Sequence, residues 1–391
     1  MTGGPFAERL ARIESFRVMK LLARANALEE AGHDVIHMEV GEPDFPTPEP
    51  IVRAGQVALA AGKTRYTPAL GITPLREAIA GFYSDAMGVE VNPRRVIVTA
   101  GGSGGLLLTC ALLFNPGDKL MMTDPAYPCN RHFLATLSAA AQLVPVDADE
   151  GYQLTAARVR SAWEETTRGV LLATPANPTG ATVPDDELVA IARAVHERSG
   201  HLIVDEIYQG LVYGERPFST VLGVDDEAFV INSFSKYFGM TGWRIGWIVV
   251  PEAAVDEIEK LAQNLFICPS SIAQHAALAG FSPAAREIME RQREALLQRR
   301  DYTVAALMQM GFGVPRVPDG AFYVYARLPD GLAPAEAFCD WLLETHFVAV
   351  TPGNDFGEFQ ASEHIRVSYA QSMPRLEMAM ERLARAVRER R

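Results

Sequence analysis

The sequence predicts an α/β fold in two units. The large unit has a mostly parallel, mixed sheet covered by helices on both faces, and the smaller unit is α+β. From about residue 50 to residue 285, continuous apolar runs alternate with amphipathic helical patterns, as expected for strands buried on both faces. After residue 285, a long charged helical segment is followed by alternating strands. A chain of 391 residues has room for two or three such units.

The chain opens with a helical pattern from about Phe16 to Gly32 and a strand-like run from Val35 to Val40. Helical patterns then separate most of the strand candidates of the large unit, and the pattern at Asp185–Ser199 places its apolar residues on a single face. This alternation predicts parallel strands joined by helical crossovers. The strand candidates are Val96–Thr99, Lys119–Thr123, Gln142–Val146, Gly169–Ala173, His201–Asp205, Phe229–Asn232 and Ile245–Val250.

The smaller unit begins with a long helical segment, Arg286–Met310. The final helix repeats apolar residues along one face from Leu376 to Val387, and we expect its arginines to form a solvated outer face. No flexible linker or internal repeat is visible, so we expect the second unit to be docked tightly. We predict a large unit of residues 46–285. The small unit comprises residues 286–391 and residues 1–45 as an N-terminal arm. Its strand candidates are Ala321–Ala326, Val348–Val350 and Ile365–Ser368.

Charge and residue usage exclude several function classes. The formal net charge is -12 and the pI is about 5.2, which disfavours general binding to nucleic acids or anionic membranes. No apolar run approaches the ~20 residues of a membrane span. Residues 1–9 lack the apolar core of a signal peptide, so the cytoplasm is the expected compartment. The cysteines form no CxxC pair and the histidines no HExxH pattern, so we expect no metal site.

Lysine is scarce, and one lysine lies in an informative place. Only five of the 36 Lys and Arg residues are lysines, and Lys236 almost directly follows the strand candidate Phe229–Asn232. Ligands of parallel sheets bind at the carboxyl ends of the strands. Ser233 precedes Lys236 and Arg244 follows it after a glycine-containing loop. A solvated surface charge is the ordinary alternative for any lysine, but this segment suits a phosphate ester beside a reactive amine.

Two further strand ends carry polar side chains. Asp205 ends the apolar run His201–Asp205, and a buried acid is costly unless it is paired. It is either a helix cap or the partner of a cationic ligand nitrogen, which Tyr208 could also reach. Asn177 follows the strand Gly169–Ala173 between prolines. That segment is either a proline-fixed turn or a way to place the amide as donor and acceptor.

A glycine-rich turn, Gly101 to Gly105, lies between a strand and the helical pattern Leu106–Leu113. Backbone N–H groups at such a turn can surround a phosphate at the positive end of the helix, although a single glycine-rich turn is weak evidence. Together these segments predict a ligand with a phosphate, a protonated ring nitrogen and a group that reacts with lysine. Pyridoxal 5'-phosphate has all three.

The sequence resembles the class I/II aminotransferases of the fold type I pyridoxal-phosphate enzymes, near the aspartate aminotransferase branch. The resemblance runs from about Phe16 to Val387. Its most specific motif is SFSKYFGMTGWR at residues 233–244. The motifs NPTG at 177–180, DEIY at 205–208 and HIRVSY at 364–369 accompany it in the expected order.

The resemblance implies a role for each matching residue. Lys236 would bond to the cofactor aldehyde and later act as general base. Asp205 would pair with the ring nitrogen and keep it protonated, so that the ring takes up electrons. Tyr208 and Asn177 would hydrogen-bond the phenolic oxygen, and Tyr127 would stack on the ring.

The same resemblance implies phosphate and substrate contacts. Arg366 would bind the substrate α-carboxylate through two parallel hydrogen bonds, helped by the Gly41 backbone and by Asn177. Tyr66 would reach the cofactor phosphate of a neighbouring subunit, which implies a homodimer with shared active sites. The residues expected around the phosphate of their own subunit are Arg244, Ser233, Gly101, Gly102 and Ser103.

The implied function is transfer of an amino group between an L-amino acid and a 2-oxo acid with ping-pong kinetics. Many aspartate-specific relatives carry a lysine where this chain has Ser103, and the segment Asn264–Cys268 lacks the arginine of other aspartate enzymes. We therefore predict a preference for neutral or apolar side chains, such as those of alanine, branched-chain or aromatic amino acids, over aspartate. Glutamate and 2-oxoglutarate stay open as a second substrate pair.

Two alternatives use the same residues. A carbon–sulfur lyase or a synthase of this fold would bind the same cofactor, and neither Lys236 nor Arg366 distinguishes it from a transferase. A non-catalytic, cofactor-binding regulator would carry an additional N-terminal DNA-binding domain. The resemblance begins within about 15 residues of Met1, and the acidic pI also disfavours DNA.

Overall fold

The computed structural model describes residues 6–15, 17–214, 218–332 and 334–390. Within them, twelve strands and twelve α-helices follow one another along the chain. The strands are β1 Ile36–His37, β2 Val96–Thr99, β3 Lys119–Asp124, β4 Ala140–Pro145, β5 Thr167–Ala173, β6 His201–Asp205, β7 Phe229–Ser233, β8 Gly246–Val249, β9 Tyr323–Arg327, β10 Val348–Ala349, β11 Thr351–Pro352 and β12 His364–Ser368.

The helices take up most of the remaining described sequence. They are α1 Arg17–Glu30, α2 Glu49–Ala60, α3 Thr73–Met87, α4 Gly101–Leu113, α5 Cys129–Thr136, α6 Ala156–Ala162, α7 Asp185–His196, α8 Val255–Leu265, α9 Ser271–Leu278, α10 Pro283–Gln309, α11 Ala335–His346 and α12 Met373–Arg390. None of these helices combines the length and the apolar character that crossing a membrane requires.

The main sheet has seven strands in the order β2-β8-β7-β6-β5-β3-β4. All neighbouring pairs are parallel except those made by β8, which runs antiparallel to both β2 and β7. The predicted mostly parallel, mixed sheet is thereby confirmed. The carboxyl ends of β5, β6 and β7 lie side by side at one edge of this sheet.

Helices cover both faces of the sheet, which explains the continuous apolar runs. Side chains alternate between the faces of a strand. Ile231 of β7 packs in a cluster with residues of α4, α5 and α8, whereas its neighbour Val230 packs in a second cluster with residues of α3 and α7. Both faces of β7 therefore need apolar side chains.

The second group of strands contains the ends of the chain. Strands β11, β12 and β9 form an antiparallel sheet in that order, and β1 pairs in parallel with β10. The segment before residue 45 is thereby joined to the C-terminal part of the chain, where α10 packs on α12 and β9. The division into residues 46–285 and residues 1–45 with 286–391 stays a prediction.

Helix α4 departs from the sequence prediction. It begins at Gly101, so the glycines that were expected to form a turn before Leu106 make its first turns instead. The physical reason is close packing on the sheet. A Cβ atom added at Gly105 would lie 2.6 Å from Cγ2 of Ile248 on β8. Tertiary contact here overrides the low helix propensity of glycine.

Candidate active site

A cavity of about 580 Å³ opens at the carboxyl ends of β5, β6 and β7. Its size is typical of a small-molecule site. Two of the predicted site residues, Gly101 and Tyr66, do not line it. The other predicted residues all do: Gly41, Gly102, Ser103, Tyr127, Asn177, Asp205, Tyr208, Ser233, Lys236, Arg244 and Arg366.

Lys236 lies three residues beyond the end of β7, inside the cavity. Its Nζ donates a hydrogen bond of 2.7 Å to the carbonyl oxygen of Gly41 and lies 5.6 Å from the ring centre of Tyr208. Burial lowers the pKa of the Lys236 ammonium to about 8, although nearby Glu42 acts in the opposite direction. An amine with this pKa is partly unprotonated near neutral pH, which a nucleophile or general base requires.

Asp205 ends β6 and is only 4% exposed. Its Oδ1 accepts a hydrogen bond of 3.1 Å from the backbone N–H of Ile207. Burial raises the pKa of this carboxyl to about 7, and the positive charge of Lys236 offsets part of that rise. A buried carboxyl that faces a cavity with so few partners is suited to bind a ligand cation.

Positive groups meet at the first turn of α4. Gly101 has a positive φ of 72° and lies against Arg244, since a Cβ atom at Gly101 would be 2.7 Å from Nη2 of that arginine. Arg244 Nη1 donates to Thr241 O at 3.1 Å, which orients the guanidinium. The orphan N–H groups of the first helical turn and the macrodipole of this 13-residue helix favour an anion beside Gly102 and Ser103.

Arg366 lies on β12, 3% exposed, and faces the same cavity. Its Nη1 donates to Asn177 Oδ1 at 2.9 Å, and its Nη2 donates to the carbonyl oxygen of Glu39 and to Thr351 Oγ1. Within the described residues, its Nε has no hydrogen-bond partner although it is buried. A guanidinium that lines the cavity and is fixed in this way fits a ligand carboxylate.

Comparison with known proteins identifies the family. The family model described as aminotransferase class I and II matches residues 33–383. The valine–pyruvate aminotransferase of Mycobacterium tuberculosis is 36% identical over 374 residues, 95% of this chain and 96% of its own. The aspartate/prephenate aminotransferase of Thermus thermophilus is 35% identical over 390 residues, which cover 97% of this chain and 98% of its own. The chain belongs to the class I and II aminotransferases.

A solved structure of an aminotransferase from Mycobacterium tuberculosis confirms the fold of this aminotransferase. It superimposes with a TM-score of 0.95 at 35% identity and covers 99% of this chain and 100% of its own. The predicted family, fold type and enzyme class are thereby confirmed, and so is the predicted cofactor, because members of this family depend on pyridoxal 5'-phosphate.

Tyr66 is the predicted site residue that this aminotransferase does not bring to its own cavity. Its side chain is 82% exposed and lies outside the lining. Gly101 is also outside the lining, but it contacts Arg244, which lines the cavity. No cluster of His, Cys, Asp or Glu in the described ranges is arranged to hold a metal ion.

The sequence reasoning missed several lining residues of the aminotransferase. Val18, Met19 and Leu22 of α1 form part of the wall, and Tyr323 of β9 lies beneath Arg366. The spacing of the α1 residues is that of one helical face, so the sequence could have predicted that this face packs against another part of the chain. Nothing in the sequence around Tyr323 distinguishes it from an ordinary core tyrosine of a strand.

Proposed function

We propose that this aminotransferase moves an amino group between an L-amino acid with a neutral or apolar side chain and a 2-oxo acid, with Lys236 as its catalytic residue. One observation carries the proposal: a half-buried lysine of lowered pKa shares a single cavity with a buried acid, Asp205, and a buried arginine, Arg366. These are the three charges that an amino acid and a pyridine cofactor require.

The residues fit pyridoxal 5'-phosphate, which when bound supplies an aldehyde that reacts with amines and a ring that takes up electrons. Asp205 would hold the protonated ring nitrogen. That pairing would stabilise the ionised carboxylate, whose pKa is otherwise raised to about 7 chiefly by burial. Tyr208 and Asn177 would hydrogen-bond the phenolic oxygen, and Tyr127 would contact the face of the ring.

The phosphate would lie at the first turn of α4. Gly102 and Ser103 would offer backbone N–H groups there, while Arg244 supplies the positive charge and Ser233 a hydroxyl. The proximity of Gly101 to Arg244 keeps the guanidinium beside this turn.

In the reaction, the amine of Lys236 would first hold the cofactor and, once displaced by the substrate, take up the α-proton at Nζ. Its lowered pKa makes the neutral amine available for this step. Arg366 would bind the α-carboxylate with the guanidinium that lines the cavity, and Asn177 orients this guanidinium by accepting a hydrogen bond from Nη1. The Gly41 carbonyl accepts a hydrogen bond from Nζ and keeps the amine directed into the cavity.

The substrate preference is supported by the composition of the wall. Val18, Met19 and Leu22 of α1 and Leu106 of α4 line the cavity, and Ser103 stands where the resemblance expects a lysine in aspartate-specific relatives. An apolar wall favours an apolar side chain and leaves a distal carboxylate unpaired. The relatives' names include both valine–pyruvate and aspartate/prephenate activities, so the family alone does not choose between them.

We also propose a homodimer in which each Tyr66 serves the neighbouring active site. Tyr66 is accompanied by other exposed apolar side chains, since Leu265 is 52% and Ile267 54% exposed. The two segments are adjacent, because Ser271 Oγ donates to the carbonyl oxygen of Arg65 at 2.6 Å. Such a patch on one chain favours burial against a second copy. The cytoplasm is the compartment we expect for it.

The experiment that tests the function is a half-reaction followed by absorbance. Single L-amino acids are added to the cofactor-loaded protein, and we expect apolar ones to convert the cofactor band to that of its amine form. A 2-oxo acid should then restore the original band. Lys236→Ala should abolish the conversion, whereas Lys260→Ala, a change at an exposed lysine of α8, should not.

The lyase alternative gives a different result in the same cuvette. Pyruvate and ammonia would accumulate from an amino acid with a β leaving group, and no 2-oxo acid would be needed to restore the band. If amino acids convert the cofactor band and no 2-oxo acid restores it, the proposed transferase activity is contradicted. The valine–pyruvate and aspartate/prephenate relatives are transferases, which favours the first outcome.

A further inference from the structure

Tyr323 touches three of the proposed functional groups, yet no role is assigned to it. It begins β9, is 1% exposed and lines the cavity. Its hydroxyl lies 2.9 Å from the hydroxyl of Tyr208, and the guanidinium of Arg366 lies over its ring at 4.3 Å. A Cβ atom added at Gly41 would overlap the same hydroxyl.

The sheet register explains how one side chain reaches so far. In the antiparallel pair of β12 and β9, Arg366 lies opposite Tyr325 and Ser368 lies opposite Tyr323. Tyr323 is therefore the diagonal neighbour of Arg366 on the same face of the sheet. Aromatic and long side chains in this relation reach each other.

The two buried hydroxyls constrain each other's protons. Burial raises the pKa of both phenols, so both keep their protons at neutral pH. Each neutral hydroxyl has one proton to donate and can accept as well. Among the described residues, Tyr323 is the hydrogen-bond partner of the Tyr208 hydroxyl. If Tyr208 donates its proton to a ligand, the contact between the phenols requires Tyr323 to be the donor to Tyr208.

We propose that Tyr323 is a positioning residue that donates a hydrogen bond to Tyr208 and thereby directs the Tyr208 proton to the phenolic oxygen of the cofactor. This inference rests on the proposed role of Tyr208. Two hydrogen bonds in series polarise each other, so Tyr208 becomes a better donor than it would be alone. A better donor stabilises negative charge on the cofactor oxygen and lowers the affinity of the bound cofactor for a proton.

Other titratable groups face this pair, and a change at Tyr323 removes none of them. They are Arg366 on β12, Lys236 after β7 and the neutral phenol of Tyr127 after β3. A change in the titration of the bound cofactor can therefore be assigned to the lost hydroxyl.

The test is Tyr323→Phe, which removes the hydroxyl and keeps the ring under Arg366. The absorbance of the cofactor-loaded protein is titrated against pH without substrate. We expect the midpoint to rise by several tenths of a pH unit. The value of kcat for an apolar amino acid should fall, while KM should stay within about twofold of wild type because the Arg366 site is intact. Loosened packing alone would raise KM and leave the midpoint unchanged.

Tyr325→Phe is the matched control. Tyr325 lies two residues further along the same strand and faces the same side, and its buried hydroxyl has no hydrogen-bond partner in the described part of the chain. It does not line the cavity. Removing this hydroxyl should leave the midpoint, kcat and KM as in wild type, and an equal shift in both variants would overturn the proposal.

Tyr208→Phe separates failure of this inference from failure of the proposed function. If Tyr208→Phe raises the midpoint and Tyr323→Phe does not, Tyr323 has no positioning role, although the assignment of Tyr208 stands. If Tyr208→Phe leaves the midpoint unchanged, the role proposed for Tyr208 is wrong and the inference falls with it. A shift in both variants, larger for Tyr208→Phe, supports both.

Discussion

Two neighbouring acids show how burial and hydrogen bonding together decide what a residue can do. Burial raises the pKa of Asp205 to about 7 and that of Glu206 to about 8. Glu206 is satisfied by the protein, since it accepts hydrogen bonds from the Val221 backbone at 2.8 Å and from Gln209 at 3.2 Å. Asp205 instead faces the cavity. The same desolvation therefore yields an acid suited to bind a ligand at position 205 and an acid satisfied by the protein at position 206.

The raised pKa of Asp205 predicts how the stability of the cofactor-free protein depends on pH. Between the ordinary value of 3.8 and about 7, the folded chain keeps a proton that the unfolded chain has lost. Stability therefore falls as pH rises through this window, and the cost is complete above it. Asp205→Asn removes this titration. The melting temperature of the variant relative to that of wild type should therefore increase between about pH 5 and about pH 8.

Differential scanning calorimetry of both cofactor-free proteins checks this prediction. Glu206 titrates in both proteins, but the charge of Asp205 contributes to its raised pKa, so the difference reports Asp205 together with its coupling to Glu206. If the difference in melting temperature between the two proteins is the same at both ends of this pH range, the pKa of the Asp205 carboxyl is not raised. Adding the cofactor should remove most of the pH-dependent difference, because a cation at the ring nitrogen would favour the ionised carboxylate.

At the scale of elements, the limits of several strands and the start of α7 were predicted well, whereas the start of α4 was not. The bounds of β2 and β6 agree with the prediction, because each is a continuous apolar run with clear limits. Helix α4 was predicted to start at Leu106, since glycines disfavour helices, but contact of Gly105 with β8 makes glycine necessary there. The beginning of the helix at Phe16 lies outside the described residues.

The candidate site divides in the same way. Lys236, Asp205, Asn177 and Gly102 follow strands of one sheet, so their order along the chain already predicted that they meet. The contribution of α1 depends on how a terminal segment packs across the chain, and local sequence does not encode that packing. The contact between Tyr323 and Tyr208 likewise depends on a pairing of distant segments.

The first turn of α4 carries a prediction about specificity. Ser103→Lys would place a positive charge at the cavity wall, where it can meet the distal carboxylate of aspartate. We expect kcat/KM for aspartate relative to valine to rise about tenfold, which corresponds to about 1.4 kcal/mol. Ser103→Met is the control, since it adds similar length without charge. Equal shifts in the two variants would show that size, not charge, governs this position.

At the scale of the whole molecule, the fold brings distant segments to one cavity. The main sheet contributes Lys236 and Asp205 at its carboxyl edge, and the antiparallel sheet contributes Arg366 on β12. The pairing of β1 with β10 leads the chain directly to Gly41, whose carbonyl holds Nζ of Lys236. Two sheets thus supply the amine of Lys236 and the guanidinium of Arg366 separately, whereas the exposed Tyr66 lies outside the lining of its own chain's cavity.

The exposed Tyr66 predicts a complementation experiment. Lys236→Ala and Tyr66→Ala chains are each expected to be nearly inactive, but a hybrid dimer has one site with both native residues. After subunit exchange of equal amounts, activity should recover to about a quarter of wild type, because half of the dimers are hybrids with one intact site. If mixing gives no gain, Tyr66 serves its own chain or none.

The central claim is that this aminotransferase prefers apolar donors, and one ratio tests it most directly. Initial rates of the cofactor-loaded wild-type protein give kcat/KM for L-valine and for L-aspartate with the same 2-oxo acid. The apolar wall of Val18, Met19 and Leu22 and the uncharged Ser103 predict a ratio in favour of valine of about tenfold or more. A ratio of one, or one in favour of aspartate, would contradict the claim.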